Sequence, residues 1–473
     1  MYPQIIKGLG SGDTPQRLKM LETIKNCFKN KEIRKKIWIT LLLLVIFRLG
    51  CYIPVPGITV ETFKDAIENQ SFLNIMSSIS GGSLANATLF ALGISPYINA
   101  SIIVQLLSVG IPALERLSKQ GEEGRKKIAQ LTRYITILLA VAQALGIIIN
   151  FGLRSSDGGD LAIKLTFFGS NTAMGETGAK WIAGIFLTVV YTAGSMLVMW
   201  LGERITEYGI SNGISLIIFI GIVSTAGDQL VAKFTAAFTG SPEVLWEVLG
   251  FVALTVIEFA AICAVDLSER RIPVQYAKQV KGRRMYGGQS TVIPMRISGS
   301  GVMPLIFAFA IISVPAMIAS LISPTAPATQ RIGIWFSGNG AWYGQLIYSL
   351  VLCILIFAFS FFYSSMQFNP DDVSKTIQQN GGFIQGIRPG KPTSDYLKKI
   401  NNRITLFGAI YLTIVALVPS ILAVILSAVG ISTDLISVFS TTGILIVVSC
   451  ALELDKQLQS QIMMKNYKKG FLK

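Results

Sequence analysis

At 473 residues, 51% hydrophobic and only 14% charged, with a mean hydropathy of +0.57, the chain does not have the composition of a soluble globular protein, in which about a quarter of residues are charged. Its 41 Lys and Arg outnumber its 26 Asp and Glu for a formal net charge of +15, and histidine is absent, which removes the commonest general base and a principal zinc ligand. Five cysteines (Cys27, Cys51, Cys263, Cys353 and Cys450) stand far apart with no CxxC pair, so neither a disulfide framework nor a metal site is indicated.

The apolar residues fall in blocks of about 20, the length that crosses a bilayer at about 1.5 Å of rise per residue. A polar and basic stretch, 1–35, comes first and reads as a cytoplasmic arm rather than a secretory signal, because no small-residue cleavage site follows it. Ten spans are then predicted, at about 36–53, 87–108, 131–150, 181–201, 212–232, 246–266, 301–322, 345–366, 404–427 and 433–451, with a basic tail at 452–473. The predicted fold is therefore all-α and polytopic.

With the arm on the cytoplasmic side, 34 of the 41 basic residues fall on cytoplasmic segments. Six fall opposite (Lys64, Arg154, Lys164, Lys180, Lys233 and Arg331), and Arg48 lies inside the first span. That is a positive-inside pattern, and an even span count returns the tail to the cytoplasm. Two cytoplasmic loops, 267–300 and 367–403, hold seven and six basic residues, more than topology requires. The spans divide five and five, into 36–235 and 236–451. An odd number per half inverts one half relative to the other, and inverted repeats place a pathway at their interface.

In chain order, Arg48 sits near the outer end of the first span, where its long side chain can snorkel to the headgroups. The segment "FLNIMSSISGGSLANAT", Phe72 to Thr88, is too short and polar to cross, and Gly81 and Gly82 give it a hinge. The second span opens "ALGISPYINASIIVQLL", with Gly93 and Pro96 at a kink-prone start and Ile94, Ile98 and Ile102 on one helical face. "NGISLIIF" repeats the device with Ile214 and Ile218, "GSGVMPLIF" with Ile306 and "STTGILIVV" with Ile446. Glu258, in the sixth span, reads as a partner in an internal hydrogen bond. There is no pair of carboxylates to act as acid and base, and the "SGSG" of Ser298 to Gly301 has no histidine to activate a serine. Catalysis is not expected. The recurrence of isoleucine beside glycine-rich helix starts points to a shared constriction.

These stretches resemble the SecY family, the channel subunits of the Sec protein translocase. The resemblance runs over nearly the whole chain. It is carried by "ALGISPYINASIIVQLL", "GEEGRKKIAQLTRY", "LGERITEYGISNGISLIIF", "ERRIPVQYAKQVKGRRMYGGQSTVIPMR" and "FNPDDVSKTIQQNGGFIQGIRPGKPT". It implies ten helices in two pseudo-symmetric five-helix halves around a central pore, through which unfolded secretory polypeptides pass. It implies a pore ring of Ile94, Ile98, Ile214, Ile218, Ile306 and Ile446. A plug at about 72–86, with Phe72, Gly81 and Gly82, would lie outside the ring. A lateral gate would release membrane segments into lipid, with Gln105 on one side and, on the other, Ser298, where many members carry Asn. Lys278, Lys281, Arg283, Arg284 and Arg388 would dock the ribosome, through its RNA phosphates, and the SecA ATPase. SecE and SecG are the implied further subunits, signal-sequence-bearing polypeptides the substrates, and a bacterial plasma membrane the location. No cofactor is implied. The competing class, a secondary transporter of small solutes, predicts a coordinating polar site at midplane, where this sequence has mainly isoleucine. An intramembrane protease needs a nucleophile and base, or an Asp pair, within the spans.

Serine offers the gate one short hydroxyl where asparagine offers an amide, so Ser298→Asn is expected to tighten the closed gate. Export of precursors with weakened signal sequences, scored against an intact precursor, checks this: the ratio should fall, and an unchanged ratio would remove Ser298 from the gate.

Overall fold

Long apolar runs with few breakers give helices over most of the chain. The computed structural model describes residues 31–58, 60, 77, 80–118, 120–149, 175–239, 242–276, 279–281, 284–286, 290–297, 301, 303–322, 342–429 and 441–471. In order, these form α1 (Lys31–Gly50), α2 (Ser95–Gly110), the short α3 (Pro112–Ser118), α4 (Glu122–Ile147), α5 (Gly175–Tyr208), α6 (Gly213–Thr239) and α7 (Pro242–Asp266). Strands β1 (Glu269–Tyr276), β2 (Gln279–Lys281), β3 (Arg284–Tyr286) and β4 (Ser290–Arg296) follow. Then come α8 (Met303–Ile322), α9 (Trp342–Gln367), α10 (Pro370–Gln379), β5 (Gly382–Ile384), α11 (Lys391–Val429) and α12 (Thr441–Phe471). Among the described residues, four helices are by themselves long and apolar enough to cross a membrane, or five if the bent α2–α3 pair is one span. Most of the arm, together with Phe72, Lys278, Arg283 and Ser298, lies outside the described residues.

Three features differ from the all-α expectation. First, α2 and α3 meet at 106°. Pro112 lacks an N–H and pushes the residue before it toward extended backbone, and Ile111 is extended, at φ −109° and ψ 113°. Second, the two connections predicted as basic loops fold into a three-stranded antiparallel sheet of order β4-β1-β5, and β2 and β3 pair as a ribbon. In β1, Ile272 and Val274 point inward two residues apart, the period of a half-buried strand, and pack with Met295, Ile377, Ile384 and Leu397. Third, α12 runs on through the predicted tail. Its Leu458 packs on Ile33 of α1 and Ile210, and Gln461 Nε2 donates to the Ile210 carbonyl at 3.3 Å. Burial and nearby Arg296 hold Lys456, on the same stretch, below the usual lysine pKa, against the opposing pull of Asp266, Glu269 and Asp455.

The helices pack through two large apolar cores and a third beside them. One core joins Phe47, Phe90, Val198, Leu201, Leu216 and Ile222. A second gathers α7, α8, α9, α11 and α12 around Leu305, Phe307, Leu352, Ile356 and Leu412. In the third, Ala140 and Ala144 of α4 meet Ala183, Leu187 and Tyr191 of α5 and receive Leu84 and Leu92. Small residues let helices approach closely where lipid offers no hydrophobic drive to pack them.

Tyr191 is 1% exposed, and its hydroxyl has no hydrogen-bond partner among the described residues. Replacing an unsatisfied buried group by an apolar one of the same shape is neutral or stabilising, so Tyr191→Phe should keep or raise thermal stability in detergent. Leu187→Ala, in the same cluster, should cost about 2–5 kcal/mol. Melting curves for the two variants check the ranking, and a Tyr191→Phe protein weaker than Leu187→Ala would contradict this packing.

Candidate functional site

The site is built first by a helix that starts late. Gly93 takes φ +54°, Ile94 follows at φ −96° and ψ −1°, and Pro96 occupies the first turn of α2, where a missing N–H costs nothing because the first N–H groups of a helix have no intrahelical partner. A Cβ on Gly93 would come 2.9 Å from Cβ of Ser80, so glycine permits both the left-handed backbone and the close approach of the preceding segment. The N–H groups of Tyr97 and Ile98 both donate to the Ile94 carbonyl at 3.1 Å, which sets Ile94 and Ile98 one turn apart on the same face.

Ile94 is 2% exposed, Ile218 5% and Ile446 8%. They belong to one apolar core, and Ile98, Ile214 and Ile306 pack against it. The six come from the start of α2 and from α6, α8 and α12. Ile98 and Ile306 also pack against the second core.

Residues 80–92 lie on the side of this layer toward which α1 and the later part of α6 run. Gly81 and Gly82 have φ of +75° and +80°. The segment satisfies its own polar groups: Gly82 N–H donates to Ser77 O at 2.8 Å, Ser83 Oγ to Ser80 O at 2.8 Å and Thr88 Oγ1 to Ser83 O at 3.1 Å. Leu84 is fully buried against α4 and α5. Arg48 corrects the sequence reading. Its guanidinium turns inward, donating from Nη1 to the Gly81 carbonyl at 2.9 Å and from Nη2 to Ser224 Oγ, with Asp228 Oδ2 3.8 Å away. Asp228, inside the predicted fifth span, escaped the sequence analysis; an acidic residue at the same end of the bundle as Arg48 was the available signal.

On α2, Gln105 Nε2 donates to Ser101 Oγ at 3.3 Å, one turn back on its own helix, rather than across to α8. Contacts from α8 to α2 and α4 are sparse beside those of α2 with α4. Arg133 and Glu203 form a two-pronged ion pair at 2.8 and 2.9 Å between α4 and α5.

In the separate β2–β3 ribbon, the register sets Lys281 opposite Arg284. Arg388 is exposed on the turn after β5, while its backbone is pinned: Thr393 Oγ1 donates to the Arg388 carbonyl at 2.8 Å and Ser374 Oγ to the Gly390 carbonyl at 2.7 Å. An open groove beside it is bordered by Gln378, Phe383, Ile387 and Pro389.

The SecY family model matches residues 88–454. The chain belongs to the SecY family. It is 39% identical over 466 residues to a protein translocase subunit SecY of Streptomyces galbus, covering 96% of this chain and 100% of that one. It is 38% identical over 459 residues to the protein of the same name from Thermus thermophilus, covering 96% and 98%. The fold resembles a solved protein-conducting channel, with a TM-score of 0.63 at 19% identity over 90% of this chain and 92% of that one. It also resembles Sec61 in a canine ribosome-channel complex, with a TM-score of 0.58 at 18% identity over 90% and 92%. As a SecY-family chain it is a multi-pass membrane protein and not an enzyme. Of the ring positions expected of that family, Ile94, Ile218 and Ile446 lie in one apolar core and Ile98, Ile214 and Ile306 pack against it; Arg388 is exposed on the turn after β5. The Gln105–Ser298 pairing falls partly outside the described residues.

Proposed function

We propose that this SecY-family chain is a passive protein-conducting channel, and that the meeting of six isoleucines in and around one apolar core is its pore ring. That meeting is the observation that carries the proposal. An extended polypeptide must pass while ions do not, and a ring of branched apolar side chains adapts to each passing residue without binding any of them. In this reading ten helices in two inverted halves surround the pore. The plug spans about 72–86, and the sparse contacts of α8 with α2 and α4 support a lateral gate there, through which membrane segments reach lipid. The secondary-transporter alternative gains no support from the family or from the channel structures that the chain resembles.

The strong bias of basic residues, together with bacterial relatives, supports a bacterial plasma membrane with both termini cytoplasmic. The relatives are named as translocase subunits, and one similar structure is a channel complexed with a ribosome. We therefore assign SecE and SecG as clamping and accessory subunits, and the ribosome and SecA as the cytoplasmic partners. Lys278, Lys281, Arg283 and Arg284 suit RNA phosphates, and Arg388 suits the motor. Since the chain has no catalytic constellation, the driving energy comes from those partners or from the membrane potential.

With the five native cysteines removed and a single Cys at Ile98, a secretory precursor stalled midway and carrying one Cys should form a disulfide at that position. Adducts elsewhere but none at position 98, with export intact, would move the path away from the ring. At the cytoplasmic face, Arg388→Glu should lower SecA-driven export about tenfold, the loss of roughly 1.4 kcal/mol expected of one charge-assisted contact, with less effect on ribosome-coupled membrane insertion. Equal losses in the two assays would count against a motor-specific role.

A further inference from the structure

Arg48 makes a set of contacts that no general need for a membrane-embedded arginine explains. From the last turn of α1, one prong of its guanidinium donates to the Gly81 carbonyl at 2.9 Å and the other to Ser224 Oγ on α6, with Asp228, one turn further along α6, 3.8 Å away. The rest of that face of α1 serves the same neighbour: Phe47 stacks on Phe90 with ring centroids 5.9 Å apart and planes within 7°, and Cys51 Sγ lies 3.9 Å from the Ser80 carbonyl. Gly81 is fitted to this arrangement. A Cβ there would come 2.6 Å from Arg48 Nη1 and 3.2 Å from the Gly221 Cα, on a backbone at φ +75°.

We infer that Arg48 is a positioning residue for gating, a latch that holds the glycine hinge of the plug between α1 and α6 in the closed channel. The inference rests on reading residues 72–86 as a plug. The two prongs divide the work. The carbonyl bond ties the segment down, while Ser224 and Asp228 keep the cation engaged when the segment leaves. Release therefore breaks a single charge-assisted hydrogen bond and leaves no stranded charge inside the bundle, which would be far more costly. Asp228 is 72% exposed on its side chain, so its ion pair is weak by itself and serves as the place to which the arginine retires. The fork also matters, since a lysine at position 48 has one point of attachment where the latch needs two.

The test uses the full channel, with its partner subunits, in membrane vesicles. In a cysteine-free background carrying Ser80→Cys, a position 3% exposed in the closed structure, labelling by a membrane-impermeant maleimide applied from the extracytoplasmic side reports plug displacement. Arg48→Ala should raise the labelling rate about tenfold, the order expected for loss of one hydrogen bond to a charged group. It should also raise idle ion leak and the ratio of export of a defective-signal precursor to that of an intact one. Arg48→Lys should fall between wild type and Ala. Ser224→Ala, which removes the group that keeps the cation engaged on release and does so without touching α1, should shift all three readouts in the opposite direction and covers the case in which Arg48→Ala does not accumulate. Deletion of residues 77–86 separates the two claims. If the deletion leaks while Arg48→Ala and Ser224→Ala label and leak like wild type, the latch is overturned and the plug stands. If the deletion also seals like wild type, the plug reading fails and the latch with it.

Discussion

Within hydrocarbon every backbone N–H and C=O must find a partner inside the protein, and this constraint shapes the whole molecule. Helices meet it automatically, which is why the apolar stretches fold as they do. The stretch from Ser80 to Ile94 does not, and non-helical backbone at that depth is tolerated only when buried in protein or facing a cavity. This segment meets the constraint with serine and threonine hydroxyls returned to its own carbonyls, as Ser83 does to Ser80 and Thr88 to Ser83, and with Leu84 buried among α4 and α5. Further backbone groups of the segment pair with the strand-like stretch after α1, where Val55 N–H donates to the Ala87 carbonyl and Leu89 N–H to the Ile53 carbonyl.

A seal against ions requires a different economy. Ile94, Ile218 and Ile446 sit in one core, while Ile98 and Ile306 touch both, so these two isoleucines lie where the two cores join. Dispersion contacts are individually small and carry no directional preference. Parting the two cores at that joint therefore gives up area gradually, without first breaking a specific bond. The directional bonds are placed to either side of the layer, in the Arg48 cluster at one end and in pairs such as Arg133–Glu203 and Ser449–Asp266, the latter at 2.6 Å, at the other. Soft contacts at the waist and specific ones at the rims suit a passage that must open for many sequences and close to one shape.

Much of this was legible in the sequence because the governing signals are local. Block length gives helices, and glycine or proline followed by isoleucine at a helix start marks six positions that lie in or against one apolar core. What was not legible depends on contacts between distant residues. Arg48 looks like a snorkelling residue when its span is read alone, since its inward turn needs Gly81, Ser224 and Asp228, which come from two other stretches. The cytoplasmic sheet was read as loop because its strands are short and their apolar alternation, Ile272 and Val274, is embedded among charges. The tail looked solvated for the same reason, although every few residues it offers an apolar contact, Leu454 and Leu458, to Ile33 and Ile210.

The extension of α12 matters for how the ends of the molecule are joined. Thr441 to Phe471 is one helix, so a residue of the ring, Ile446, and residues that touch Ile33 and Ile210 share a rigid rod. Between them, Ser449 bonds Asp266 at the end of α7, and Cys450 Sγ approaches the Ser215 carbonyl of α6 at 3.4 Å. One continuous helix therefore makes specific contacts along its length with α1, α6 and α7, tying the two ends of the chain to the middle of the bundle.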